Sequence, residues 1–171
     1  CALAPDARTA IDMAIAGDGA LWVATFTGVA RFNGRSFERI IAANDSLKDV
    51  RSMLADADGG LWLGRRAGVT RCAYDGREAR VFTFPLVVGE QVSVNQVISD
   101  GGGGFWAATS AHGAIRFTRN GAVVPSSRIT TSQGLGTNEL MCAVRDRRGD
   151  VWFGTRGAGL AHHRGDAFKY Y

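Results

Sequence analysis

Four tryptophans constrain what this 171-residue chain can fold into. Trp22, Trp62, Trp106 and Trp152 follow one another at spacings of 40, 44 and 46 residues, each inside the same short pattern: AGDGALWVAT, DADGGLWLGR, DGGGGFWAAT and DRRGDVWFGT. A self-similar period of roughly 20 to 50 residues marks a solenoid or a propeller. Gly19, Gly59, Gly103 and Gly149 stand three residues before the tryptophans, and Leu21, Leu61, Phe105 and Val151 immediately before them. Asp56, Asp100 and Asp146 lie six residues before; in the first repeat Ala16 takes that place. This is turn chemistry: an aspartate at the first position can accept a bond from the backbone two residues on, and a glycine at the fourth tolerates the left-handed conformation. The run that follows, as in Leu61-Trp62-Leu63-Gly64, suits a strand buried on both faces. Small residues two past each tryptophan (Ala24, Gly64, Ala108, Gly154) keep the packing there close.

Each repeat continues into a second hairpin. The segments 28–32, 68–72, 113–117 and 159–163 read as a third strand, Asn33-Gly34, Asp75-Gly76, Asn120-Gly121 and Arg164-Gly165 supply the turn, and a fourth strand is expected around 35–40, 79–84, 122–126 and 166–171. With a first strand ahead of each Asp-x-x-Gly turn, carrying Met13, Val50 with Met53, Val94 with Val97 and Leu140 with Ala143, every repeat becomes a four-stranded antiparallel meander. That is the size of a propeller blade. The expected fold is all-β, a β-propeller segment of four blades over about 11–40, 50–84, 94–126 and 139–171, after a lead-in at 1–10. The glycine-punctuated runs lack the sustained 3.6-residue periodicity of a helical repeat.

Composition removes several alternatives. No apolar run approaches the roughly 20 residues of a membrane helix, so any membrane attachment is expected through segments outside these residues. The net charge of +4 comes almost wholly from arginines scattered through every repeat, with lysines only at 48 and 169, so no nucleic-acid stripe forms. Cys1, Cys72 and Cys142 are too few and too far apart for a metal knuckle or a disulfide framework. Cys1, followed by Ala2, fits either a lipid-modified residue or a simple boundary.

The Asp-x-x-Gly-x-Leu-Trp-x-Gly-Thr core with a following Gly-Leu strand resembles the two-component regulator propeller repeat. The fourth repeat, GLGTNELMCAVRDRRGDVWFGTRGAGL from Gly134 to Leu160, matches it best; the others depart through Ala16, Arg65, Ala24 and Ala108. The resemblance implies a periplasmic or otherwise extracytoplasmic sensing segment of a histidine kinase, hybrid kinase or diguanylate cyclase, itself without catalytic residues, cofactor or metal. It implies a small-molecule ligand, with carbohydrate among the classes. Such rings have seven blades. Four blades therefore imply either the remaining blades of a longer chain or a second copy closing an eight-bladed ring head to tail, a closed ring of four being unusual for the family.

In a meander the turns between strands one and two and between three and four share one end of the blade. The two-to-three turns and the links between blades, 41–49, 85–93 and 127–138, share the other. Variable loops on a rigid scaffold are where recognition resides. Phe26, Arg65, Arg66, His112, Asn138 and Arg156 are the candidate ligand-binding residues there, offering guanidinium donors and an aromatic surface to an anionic or sugar-like ligand. His162 and His163, adjacent on a strand, point to opposite faces and cannot jointly chelate an ion, and His163 takes the packing position of Phe32, Cys72 and Phe117. The Arg164-Gly165-Asp166 tripeptide falls in a hairpin turn. No catalytic constellation assembles from the sequence. A protein-interaction scaffold and a propeller lyase or sialidase are the rival functions; the sialidase Asp-box sets its aspartate closer to the aromatic than six residues.

Overall fold

The computed structural model describes residues 9–41, 47–165 and 167–171. Cys1, most of the expected lead-in and Asp166 lie outside the described residues. Four antiparallel sheets form, each with its strands neighbouring in chain order. The first holds β1 (Ala10–Ile15), β2 (Leu21–Thr25), β3 (Gly28–Phe32) and β4 (Phe37–Ile40), and the second β5 (Val50–Ala55), β6 (Leu61–Arg65), β7 (Gly68–Tyr74) and β8 (Ala79–Phe84). The third holds β9 (Val94–Ser99), β10 (Phe105–Thr109), β11 (Ala114–Phe117) and β12 (Val123–Ile129), and the fourth β13 (Leu140–Arg145), β14 (Val151–Thr155), β15 (Leu160–Arg164) and β16 (Ala167–Tyr170). Each repeat is thus one blade.

Several strand ends differ from expectation by one to three residues; β7 continues to Tyr74, past the expected stop at 72, and β12 departs most. β12 runs on to Ile129, beyond the expected stop at 126, because Ile129 is buried and pairs with Ala114 across a register shift in the ladder. The link to the fourth blade is shortened accordingly. It contains a single 3-10 turn, Thr131–Gln133, capped by Thr130.

The chain divides into two compact units, residues 1–84 and 85–171, each a pair of blades. In the first, Trp22, Ala24 and Val29 of the leading blade form one buried cluster with Val50, Met53, Leu61, Leu63 and Cys72 of the following blade. In the second, Ile98, Trp106, Ala108, Ala114 and Ile129 do the same with Leu140, Ala143, Val151, Phe153 and Ala161. The first strands are also stapled. Asp12 Oδ2 accepts the Met53 amide at 2.7 Å, and Gln96 Oε1, at the matching register position, accepts the Ala143 amide at 2.8 Å.

The Asp-x-x-Gly turn forms as expected in the second and fourth blades: the Gly59 amide donates to the Asp56 carbonyl at 3.0 Å with φ +83°, and Gly149 repeats this on Asp146 at 3.1 Å with φ +91°; in the third, the Gly102 and Gly104 amides donate to Asp100 Oδ1 instead. The aspartate has a second role that the sequence did not disclose. Trp62 Nε1 donates to Asp56 Oδ2 at 3.2 Å, and Trp152 Nε1 to Asp146 Oδ2 at 3.1 Å. Where Ala16 replaces the aspartate, Trp22 Nε1 is buried without a partner. A buried donor left unpaired is costly, so Ala16→Asp is expected to stabilise the chain by about 1 kcal/mol, the gained bond being partly offset by burying a carboxylate. A raised urea midpoint with an unchanged slope is the expected reading.

Candidate functional site

The meander places the two-to-three turns and the blade links at one end of each blade, and the six candidate residues fall there in two groups of three, one in each unit. In the first unit Phe26, in the β2–β3 turn, is exposed, and its carbonyl accepts the Asp49 amide at 3.2 Å. Arg65 is engaged inside the protein: Nε donates to the Lys48 carbonyl at 2.8 Å and Nη1 to Thr70 Oγ1 at 3.2 Å. Burial draws its pKa down, with the charge of Asp49 acting in the other direction. Arg65 therefore anchors the link between blades, whose Asp49 adopts φ 55°. Arg66, beside it, is exposed. A cavity of about 250 Å³ opens at this end, lined by Thr27, Arg39, Ile41, Leu47 and Lys48 among others. It combines cationic and apolar walls, and Arg39 Nη2 donates to the Thr27 carbonyl at 3.1 Å.

In the second unit His112 Nε2 lies 2.7 Å from Glu90 Oε2, while its Nδ1 is buried without a partner. Asn138 is a loop anchor: its Oδ1 accepts the Thr131 amide at 2.8 Å and its carbonyl accepts the Gly113 amide at 3.0 Å. Arg156 is exposed, with Nε 3.4 Å from Glu139 Oε2. Phe26, Arg66 and Arg156 are thus exposed at this end, whereas Arg65 and Asn138 shape the loops that carry them.

A second pattern escaped the sequence reading. The cross-strand partner of each tryptophan is a cation or a histidine: Arg31 opposite Trp22, Arg71 opposite Trp62, Arg116 opposite Trp106 and His162 opposite Trp152. Arg31 and Arg71 sit 5.9 Å over their indole rings. Each of the four also meets a turn aspartate, Asp18, Asp58, Asp100 and Asp150 respectively. Burial alone would raise the Asp100 carboxyl, but the Arg116 guanidinium and the amides of Gly102 and Gly104 outweigh it and hold the group below its ordinary value. The signal was visible in the fourth letter of GVARF, GVTRC, GAIRF and GLAHH.

In the fourth blade this arrangement brings three metal-ligating side chains together. Potential ligand atoms of Asp146, Asp150 and His162 lie within 4.8 Å of one another. They form the blade's own hydrogen-bond network. Asp146 Oδ1 accepts the amides of Arg148 and Asp150, its Oδ2 accepts the Trp152 indole, and His162 Nε2 is 3.0 Å from Asp150 Oδ2. The indole bond is the largest influence on the Asp146 carboxyl, ahead of the opposing effect of burial, and with the smaller help of the two amides it holds the group below its ordinary value. His162 stacks on Trp152 at 4.0 Å and 7°, while His163 meets the edge of Trp106 at 5.6 Å, so the adjacent histidines do face opposite ways.

Residues 134–157 match the family model described as two component regulator propeller. No curated protein matches the chain. Among solved structures, the extracellular domain of a hybrid two-component system from B. thetaiotaomicron superposes with a TM-score of 0.76 at 17% identity, over 96% of this chain and 25% of that one. A second such domain from the same organism gives 0.73 at 19% identity, over 93% and 21%. Virginiamycin B lyase from Staphylococcus aureus, solved with quinupristin, gives 0.74 at 14% identity, over 99% and 57%. The chain spans about a quarter of the length of the first of these. The shared fold is that of a β-propeller segment.

Proposed function

We propose that this chain, whose fourth blade is a two-component regulator propeller repeat, is the ligand-sensing and non-catalytic part of an extracytoplasmic bacterial signalling receptor. The observation that carries this reading is the match of residues 134–157 to that repeat. A fold shared over nearly the whole chain with extracellular domains of hybrid two-component systems supports it. The output, a kinase or a cyclase, belongs to sequence outside these 171 residues. The ligand is small and anionic or sugar-like, met in the first unit by Phe26, Arg66 and the cavity beside Arg39 and Lys48.

A thermal-shift panel of mono- and oligosaccharides, aromatic compounds and nucleotides tests this. A ligand present at 100 times its dissociation constant adds about 2.7 kcal/mol of stability, so at least one class is expected to raise the melting temperature without being consumed. Silence across the panel would favour a protein-interaction scaffold. Turnover of any compound, quinupristin included, would overturn the reading in favour of an enzyme.

A further inference from the structure

One turn recurs in all four blades, and only its last copy is cationic. Residues 16–19 read Ala-Gly-Asp-Gly, 56–59 Asp-Ala-Asp-Gly, 100–103 Asp-Gly-Gly-Gly and 146–149 Asp-Arg-Arg-Gly, preceded by Ile15, Ala55, Ser99 and Arg145. The turn does not need the arginines: the Gly19 amide donates to the Ala16 carbonyl at 2.9 Å in the first blade, and Gly59 does the same on Asp56 in the second. Arg145, Arg147 and Arg148 are all exposed, and none has an acidic partner among the described residues. Arg145 lies across the two blades of its unit. Its guanidinium fills the space that a Cβ on Gly101 would take, and its Nη2 is 3.2 Å from where a Cβ on Gly149 would stand. Arg164, at the end of β15, joins the cluster, with Nε 3.8 Å from Asp150 Oδ2 and its side chain 71% exposed.

The carboxylates at this end are turned inward. Asp100 is 3% exposed and accepts Arg116 Nε at 2.8 Å; the Asp146 oxygens take the Trp152 indole and two amides; and Asp150, 12% exposed, faces His162. What this end offers to solvent is therefore guanidinium. Arg147 and Arg148 form the tip of a hairpin, which is convex, whereas a small molecule is enclosed by a concavity. A nucleic acid would call for a stripe of cations along its backbone, and these four come from two neighbouring hairpins. The cluster suits a flat anionic surface. We propose that this end of the second unit docks on the anionic headgroups of a lipid bilayer. Guanidinium forks pair with phosphate oxygens, and each cation near an anionic membrane surface strengthens binding about fivefold. A bilayer stands beside every membrane-tethered receptor, so the choice of lipid rests on the receptor reading above. Vesicle binding and stabilisation by a small ligand are separate readouts, and either can fail alone.

Co-sedimentation of the 171-residue chain with vesicles tests this. With equal parts of phosphatidylcholine and phosphatidylglycerol at low salt, the chain is expected to sediment with the lipid; with phosphatidylcholine alone it should stay in solution. Salt at about 1 M, which screens charges beyond about 3 Å, should release it. Arg147→Gln combined with Arg148→Gln, both at exposed turn positions, is expected to lower binding about 25-fold with unchanged circular dichroism. Arg35→Gln combined with Arg77→Gln removes the same charge from exposed hairpin turns of the first unit and should leave binding unchanged. Absence of sedimentation with the anionic vesicles, or equal losses in the two double variants, would overturn the proposal. Release by inorganic phosphate at constant ionic strength would overturn it in favour of a site for a single anion, and preference for a DNA duplex over the vesicles in favour of a nucleic-acid surface.

Discussion

Asp56→Ala is expected to lower stability by about 2–3 kcal/mol, read as a fall in the urea midpoint. Asp56 is buried, its Oδ2 accepts the Trp62 indole and its Oδ1 accepts the Ala57 amide at 2.8 Å. Trp62 is itself wholly buried, so alanine leaves its N–H with neither an aspartate nor water. Leaving a buried donor unsatisfied costs more than the bond's net worth when made, and this is why the effect exceeds that of an ordinary surface hydrogen bond. Asp56→Asn keeps a carbonyl oxygen in place and is expected to recover more than half of the loss. A cost for Asp56→Ala below about 0.5 kcal/mol, the range of neutral surface changes, would mean that the turn alone accounts for the aspartate.

Gly113→Ala is expected to be the more damaging change, at about 3 kcal/mol or more, through backbone strain and overpacking together. A Cβ on Gly113 would stand 2.0 Å from the Ile129 carbonyl oxygen, with φ at +71°. The surroundings cannot give way. The Gly113 carbonyl accepts both the amide and the hydroxyl of Thr109, its amide donates to Asn138, and Ile129 is fixed by pairing with Ala114. Gly34→Ala is the matched control, with φ +92° and open space around it; only the left-handed penalty of about 1–2 kcal/mol is expected there. Equal losses for the two would show that the Gly113 cage relaxes.

The blades were legible in the sequence because their signals are local. Tryptophan spacing set the period, and the Asp-x-x-Gly and Asn-Gly turns set the hairpins within a few residues of where they form. The Asp56–Trp62 and Asp146–Trp152 bonds were hidden because they cross a turn and depend on side-chain direction, which spacing does not report. The same holds for the arginines opposite the tryptophans: each is one letter in a strand until the ladder sets it against its partner. For the candidate site the sequence placed the six residues in or beside the two-to-three turns and blade links, where the structure has them, but did not show what each side chain is engaged in. Arg65 and Asn138 have the chemistry of ligand residues, and only the fold shows them holding the Lys48 carbonyl and the Thr131 amide.

Recognition at the loop end of the blades is tested most directly by mapping amide chemical-shift changes as the stabilising compound from the panel is titrated in. The expected result is that shifts concentrate in the two-to-three turns and the blade link of the first unit, around Phe26 and Arg66, while the turns at Gly19, Gly59, Gly103 and Gly149 stay still. Shifts centred on those Asp-x-x-Gly turns instead, with the loop end unmoved, would contradict it.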